Sequence, residues 1–192
     1  MTSNETLTTK DTQTINIYTD GACSGNQFDD NTGGWGAILE YKGRTKELYG
    51  GEINTTNNRM ELIALIEALS ALTKKEQYIR VFSDSSYLIE CMRKRWYEKW
   101  KVNGWMTAGK KPVENRDLWE KLLAFLPDHD FYFYLIKGHI AKGAGDETKK
   151  KAYERFVEHN GDRFSYEEFL VLCERNNRAD ELANIGIRES QG

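Results

Sequence analysis

The spacing of strand-like runs changes part way along the chain, and that change limits the folds open to it. Three runs at 15–19, 34–41 and 45–53 follow one another through short connections, which predicts an antiparallel meander. Two further runs, at 79–83 and 131–136, are separated by helical patterns, and strands joined through helical crossovers pair in parallel. The expected product is an α/β fold: one mixed five-stranded sheet flanked by helices near 58–72, 85–95, 96–102, 116–125 and 165–186.

With 192 residues, 39% of them hydrophobic, the chain can bury one good core. Residues 1–13 are Thr-rich and read as a flexible tail, leaving 14–192 as a single domain. No apolar stretch approaches membrane-spanning length, so no membrane partner is expected. Three cysteines without a CxxC pair argue against a disulfide scaffold or a thiolate zinc site and point to a reducing, cytoplasmic setting. A net charge of −3 speaks against a general nucleic-acid binder, so any such role needs a local basic patch.

Four carboxylates stand out. Asp20 ends the run INIYT, Asp84 ends IRVF, Glu61 starts an amphipathic helix, and Asp180 lies on an otherwise apolar helical stripe with Phe169, Cys173, Ala183 and Ile187. Strand ends at crossover sheets are where sites form, and clustered oxygen ligands suit a pair of hard divalent cations such as Mg²⁺. Each residue alone also has a structural reading, as good or better for Glu61, Asp20 and Asp84. Glu61 follows Asn58 at capping-box spacing, Asp20-Gly21 is a turn dipeptide, Asp84 precedes two serines as an N-cap would, and Asp180 becomes a surface residue if its helix is rotated. Their joint fit to one sheet-and-helix arrangement favours the metal reading.

A basic patch is present between Arg93 and Lys111. Arg93, Lys94, Arg95, Lys99, Lys101, Lys110 and Lys111 are interleaved with Trp96, Trp100 and Trp105, a mixture suited to phosphates and to bases or sugars. The alternative is a solvated helix anchored by its tryptophans.

The blocks YTDGACSGN, GGWGAIL, TTNNRMEL, FSDSSY, WYEKWKVNGWMTAGKKPVENRDLW, KGH and NNRADELA occur in the order found in type 1 ribonuclease H. The resemblance runs from about Ile15 to Ile140 and resumes from about Asn176 to Ile187. It implies the ribonuclease H-like fold and cleavage of the RNA strand of RNA–DNA hybrids with two Mg²⁺ ions, Mn²⁺ being a possible substitute, to give 5′-phosphate products. Asp20, Glu61, Asp84 and Asp180 match the family's metal-binding carboxylates, and His139 matches its mobile histidine. By the same resemblance Asn26 and Asn57, with backbone around Cys23 and Gly25, contact the RNA strand. Thr56, Asn58 and Asn115 correspond to a DNA-phosphate pocket, and Tyr87, Trp96 and Trp100, with Lys101 of the basic handle, to the DNA-strand channel. A monomer is expected.

Three departures accompany the match. Ser86 stands where the family often has glutamine, and Val102, Asn103, Met106 and Glu114 thin the handle, implying weaker substrate affinity. The third is the stretch at about 141–175, where the family usually has a short loop. Residues 142–151 read as a flexible loop. Ser165 and Glu168 can form a capping box opening one continuous helix through 186 that carries Asp180. The stretch is expected to be a helical add-on, with a partner-binding or substrate-gating role nearly as favoured. Other nuclease folds and a non-catalytic hybrid-binding module are the rival functions; the latter would be expected to lack a carboxylate.

Overall fold

The computed structural model describes residues 14–25, 31–137, 140–141 and 143–191. Strand β1 (Thr14–Ser24) pairs antiparallel with β2 (Thr32–Tyr41), which pairs antiparallel with β3 (Arg44–Ile53). Strand β4 (Gln77–Ser83) lies parallel to β1, and β5 (His129–Leu135) parallel to β4, giving the order β3-β2-β1-β4-β5. The expected mixed sheet is therefore present. Helix α1 (Asn57–Ser70) links β3 to β4, and α2 (Ser86–Lys94), α3 (Trp96–Val102) and α4 (Arg116–Leu123) lie between β4 and β5. Helices α5 (Asp146–Asn160) and α6 (Tyr166–Ser190) follow. Among the described residues no helix is long and apolar enough to cross a membrane.

Successive strand residues point to opposite faces, so each buried strand feeds two cores. Ile17, Leu39, Ile79 and Val81 pack with Met60, Leu65, Leu88 and Trp119 of α1, α2 and α4. Tyr18, Ile38, Phe82 and Tyr134 pack with Phe156, Phe164, Phe169 and Leu172 on and between α5 and α6. The stretch at 141–175 thus supplies the cover for a second apolar face. Phe156, Phe164 and Phe169 are buried, so they are not the exposed aromatics that a recognition role would use.

One expectation fails here: Asp146–Asn160 is a helix, not a loop through 151. Its first two turns are nearly all polar, which hides the helical period. Asp146 and Glu147 nevertheless face the positive end of the helix dipole, Glu147 pairs with Lys151 at i,i+4, and Phe156 anchors the far end. Its final residue also protects an edge. The Asn160 amide accepts from Leu135 N–H and donates to Leu135 O, both at 2.9 Å, standing in for a missing strand neighbour of β5.

Helix α6 is continuous from Tyr166, with the capping box present: Glu168 N–H donates to Ser165 Oγ (3.1 Å) and Ser165 N–H to Glu168 Oε2 (2.7 Å). It presses onto β2 where glycines permit. A Cβ on Gly36 would stand 2.2 Å from the Ala179 carbonyl oxygen, one residue before Asp180.

Candidate active site

Parallel pairing sets Thr19 of β1 beside Ser83 of β4, so the next residues, Asp20 and Asp84, emerge at the same edge of the sheet. Glu61 comes down from α1, which sits close because residue 21 is glycine: a Cβ there would lie 2.5 Å from Glu61 N. Carboxylate oxygens of Asp20, Glu61 and Asp84 lie within 4.8 Å of one another. Asp180 reaches the same cleft from α6, close enough for its charge to act on the Asp20 carboxyl. The cleft has a volume of about 440 Å³ and is also lined by Cys23, Asn57, Asn58, Ser86 and Tyr87.

The separate structural readings of these carboxylates do not hold. The N-cap of α1 is Thr56, whose Oγ1 accepts from Arg59 N–H, so Glu61 is a full turn inside the helix and buried. Ser85, not Asp84, caps α2 and accepts from Leu88 N–H. Asp20 and Gly21 are in mid-strand rather than in a turn. Asp180 is part-buried, and Asn184, one turn on, donates to its Oδ1 at 3.1 Å.

Such a cluster is costly without positive charge. Burial, then repulsion from Asp84 and Asp180, pushes the Asp20 carboxyl up to about 8, against a lowering from Gly21 N–H at 2.9 Å. Burial and then the charges of Asp20 and Asp84 hold Glu61 well above the usual carboxylate range. No Lys or Arg is among the described residues that line the cleft. An all-oxygen, mutually repelling donor set of this kind fits hard divalent cations.

Two positioning groups had no signal strong enough to single them out in sequence. Ser83 Oγ donates to Glu61 Oε2 at 3.5 Å while accepting from Ser85 N–H, and Asn184 holds Asp180. The i,i+4 spacing of Asp180 and Asn184 was the available cue for the second.

Beyond the carboxylates, Asn57 is exposed at the cleft and Gly25 is exposed one residue past β1. Asn26 and His139 lie outside the described residues. Thr56 and Asn58 open α1, and Asn115, in a left-handed conformation at the start of α4, meets the same turn through Arg59 Nη1 at 3.4 Å. Tyr87 Oη accepts from Trp119 Nε1 at 2.7 Å.

The basic patch divides. Arg93 turns inward, donating to the Phe133 and His159 carbonyls and to Asn160 Oδ1, while Lys94 pairs with Glu90 and Arg95 with Glu98. Lys99, Lys101, Lys110 and Lys111 are exposed. Of the three interleaved tryptophans, Trp105 is buried against Trp100 and is an anchor, Trp100 is half-buried, and Trp96 is 37% exposed. The anchoring alternative therefore accounts for part of this patch.

A sheet edge of parallel strands bearing a buried carboxylate cluster, beside an exposed cationic and aromatic helix, is the architecture of a phosphodiester-processing enzyme. The RNase H family model matches residues 12–188. The chain is 44% identical over 179 residues to ribonuclease H of Maricaulis maris, covering 93% of this chain and 97% of that one. It is 51% identical over 125 residues to ribonuclease H of Thermoanaerobacter sp. strain X514, covering 65% and 78% of the two. Among solved structures it is similar to LC9-RNase H1, a type 1 RNase H with the type 2 active-site motif, at a TM-score of 0.59 and 25% identity over 85% of each chain. The chain belongs to the ribonuclease H family and is a nuclease.

Proposed function

We propose that the chain is an endonuclease that hydrolyses the RNA strand of RNA–DNA hybrids with two Mg²⁺ ions and leaves 5′-phosphate products. The observation that carries this reading is the convergence of Asp20, Glu61, Asp84 and Asp180, from four separate elements, into one cleft. Two divalent ions supply Lewis acidity on both sides of the scissile phosphodiester. Asp20, Glu61, Asp84 and Asp180 would hold the ions. Ser83, Gly21 N–H and Asn184 hold these side chains in place, so little reorganisation is needed on binding.

Strand choice follows from what borders the cleft. The Asn57 amide and backbone around Cys23 and Gly25, together with Asn26, can hydrogen-bond ribose 2′-hydroxyls, which a DNA strand lacks. Thr56, Asn58 and Asn115 would hold a DNA phosphate, while Tyr87, Trp96 and Trp100 pack under DNA sugars and Lys101 neutralises backbone charge. His139 would assist proton transfer or product release. Incubation with strand-labelled hybrid, duplex RNA and duplex DNA, with and without Mg²⁺, tests the proposal. Internal cuts in hybrid RNA alone, with 5′-phosphate ends and abolished by chelator, are expected; equal cutting of duplex DNA, or full activity in excess chelator, would sink it.

A further inference from the structure

Arg59 stands between the acidic cleft and the start of α4, yet its charge is committed to the protein. Its guanidinium forms a two-pronged pair with Asp117, Nη1 to Oδ1 and Nη2 to Oδ2, both at 3.1 Å. Nη1 also donates to Asn115 Oδ1 at 3.4 Å. A guanidinium has only donors, so it fixes which end of the Asn115 amide faces it. The amide nitrogen must face away, on the side of Tyr87, whose hydroxyl oxygen accepts from Trp119 Nε1. Because Arg59 is in the first turn of α1, which Thr56 caps, the Asn115 amide lies beside that turn. Asn115 itself sits at φ 57, so its backbone adds a second constraint on the side chain's direction.

We propose that Arg59, anchored by Asp117, is a positioning residue that sets the amide of Asn115 as a donor for the DNA-strand phosphate. This rests on the reading of Asn115 as a phosphate contact. Arg59 acts through Asn115 and makes no contact with the substrate.

The test is steady-state hybrid cleavage by the full chain carrying Arg59→Met, Asp117→Asn, Asn115→Ala and the Arg59→Met/Asn115→Ala pair. Arg59→Met should raise KM about three- to tenfold, the worth of one hydrogen bond, with kcat retained. The double variant should be no worse than Asn115→Ala alone, because the two changes remove one interaction. Asp117→Asn should also raise KM, although it deletes a negative charge near the substrate, and it carries the test if Arg59→Met does not fold. A direct phosphate contact by Arg59 predicts the reverse, so a lower or unchanged KM in Asp117→Asn overturns the proposal. So does a double variant whose KM is the product of the single effects. An Asn115→Ala variant with unchanged KM removes the phosphate-pocket reading and the proposal with it, which separates that failure from the other two.

Discussion

The cleft and the handle invest their charge in opposite ways. In the cleft, Asp20 and Glu61 are buried side by side at a place dictated by backbone pairing, and their mutual repulsion is held in by the sheet and α1. In the handle, the cations that remain exposed sit on a short helix and loop fixed underneath by Trp105 and Trp119. Buried like charges are expensive in the absence of a counter-ion, whereas exposed ones cost little and are screened by salt. The cleft is therefore a site where stability is exchanged for reactivity, and the handle one where affinity is added in small increments.

The largest effect expected is from Asp20→Asn, which should abolish turnover while leaving the metal-free melting temperature unchanged or raised, since it removes a repelling charge. Melting followed by circular dichroism in chelator, beside an activity assay, checks both halves. A clear loss of stability with only a few-fold loss of activity would make Asp20 structural and erase the contrast.

A second test uses pH. Asp20 titrates near 8 in the fold, against an ordinary value of 3.8, so across that window the folded chain holds a proton that the unfolded chain has released. Stability of the metal-free protein is favoured below the unfolded value and is lost as pH rises towards 8, and the raised Glu61 acts with the same sign. The melting temperature in chelator should fall between about pH 5 and pH 8, less steeply in Asp20→Asn. Equal slopes would mean that the cluster does not store the repulsion described.

At the handle, Trp96→Ala should raise KM about five- to tenfold, the low end of what one aromatic contact to a strand is worth, with little change in kcat or melting temperature. Trp100→Ala offers the sharper contrast: its ring packs on both Trp105 and Trp119, so it should also lower stability, by about 1–3 kcal/mol. Equal melting temperatures for the two variants would contradict the division between contact and anchor.

Smallest is Lys101→Ala, which should reduce the salt slope of hybrid binding by about one and leave the fold untouched. Unchanged salt dependence would put Lys101 outside the interface.

Much of the frame was readable from residue order. β-branched runs and their connections predict the strand directions, and the Ser165/Glu168 spacing predicts the cap that begins α6. Each depends on neighbours a few residues away, where periodicity and side-chain-to-backbone bonding act. Helix α5 escaped because its stability comes from end charges and from Phe156 meeting a face formed by other strands, and its polar opening turns carry no apolar period.

By itself, the sequence determined which residue types are available and roughly where each element starts: an aspartate closing each of two β-branched or aromatic runs, a glutamate in a helix, and a cationic stretch threaded with tryptophan. Only the tertiary structure decided that Glu61 is not a cap, that Asp20 is buried, that Arg93 is withdrawn into the β5 edge and that Trp105 is an anchor. The physical reason is that desolvation and charge pairing depend on distances between groups tens of residues apart along the chain, and those distances exist only after β1, β4, α1 and α6 have packed together.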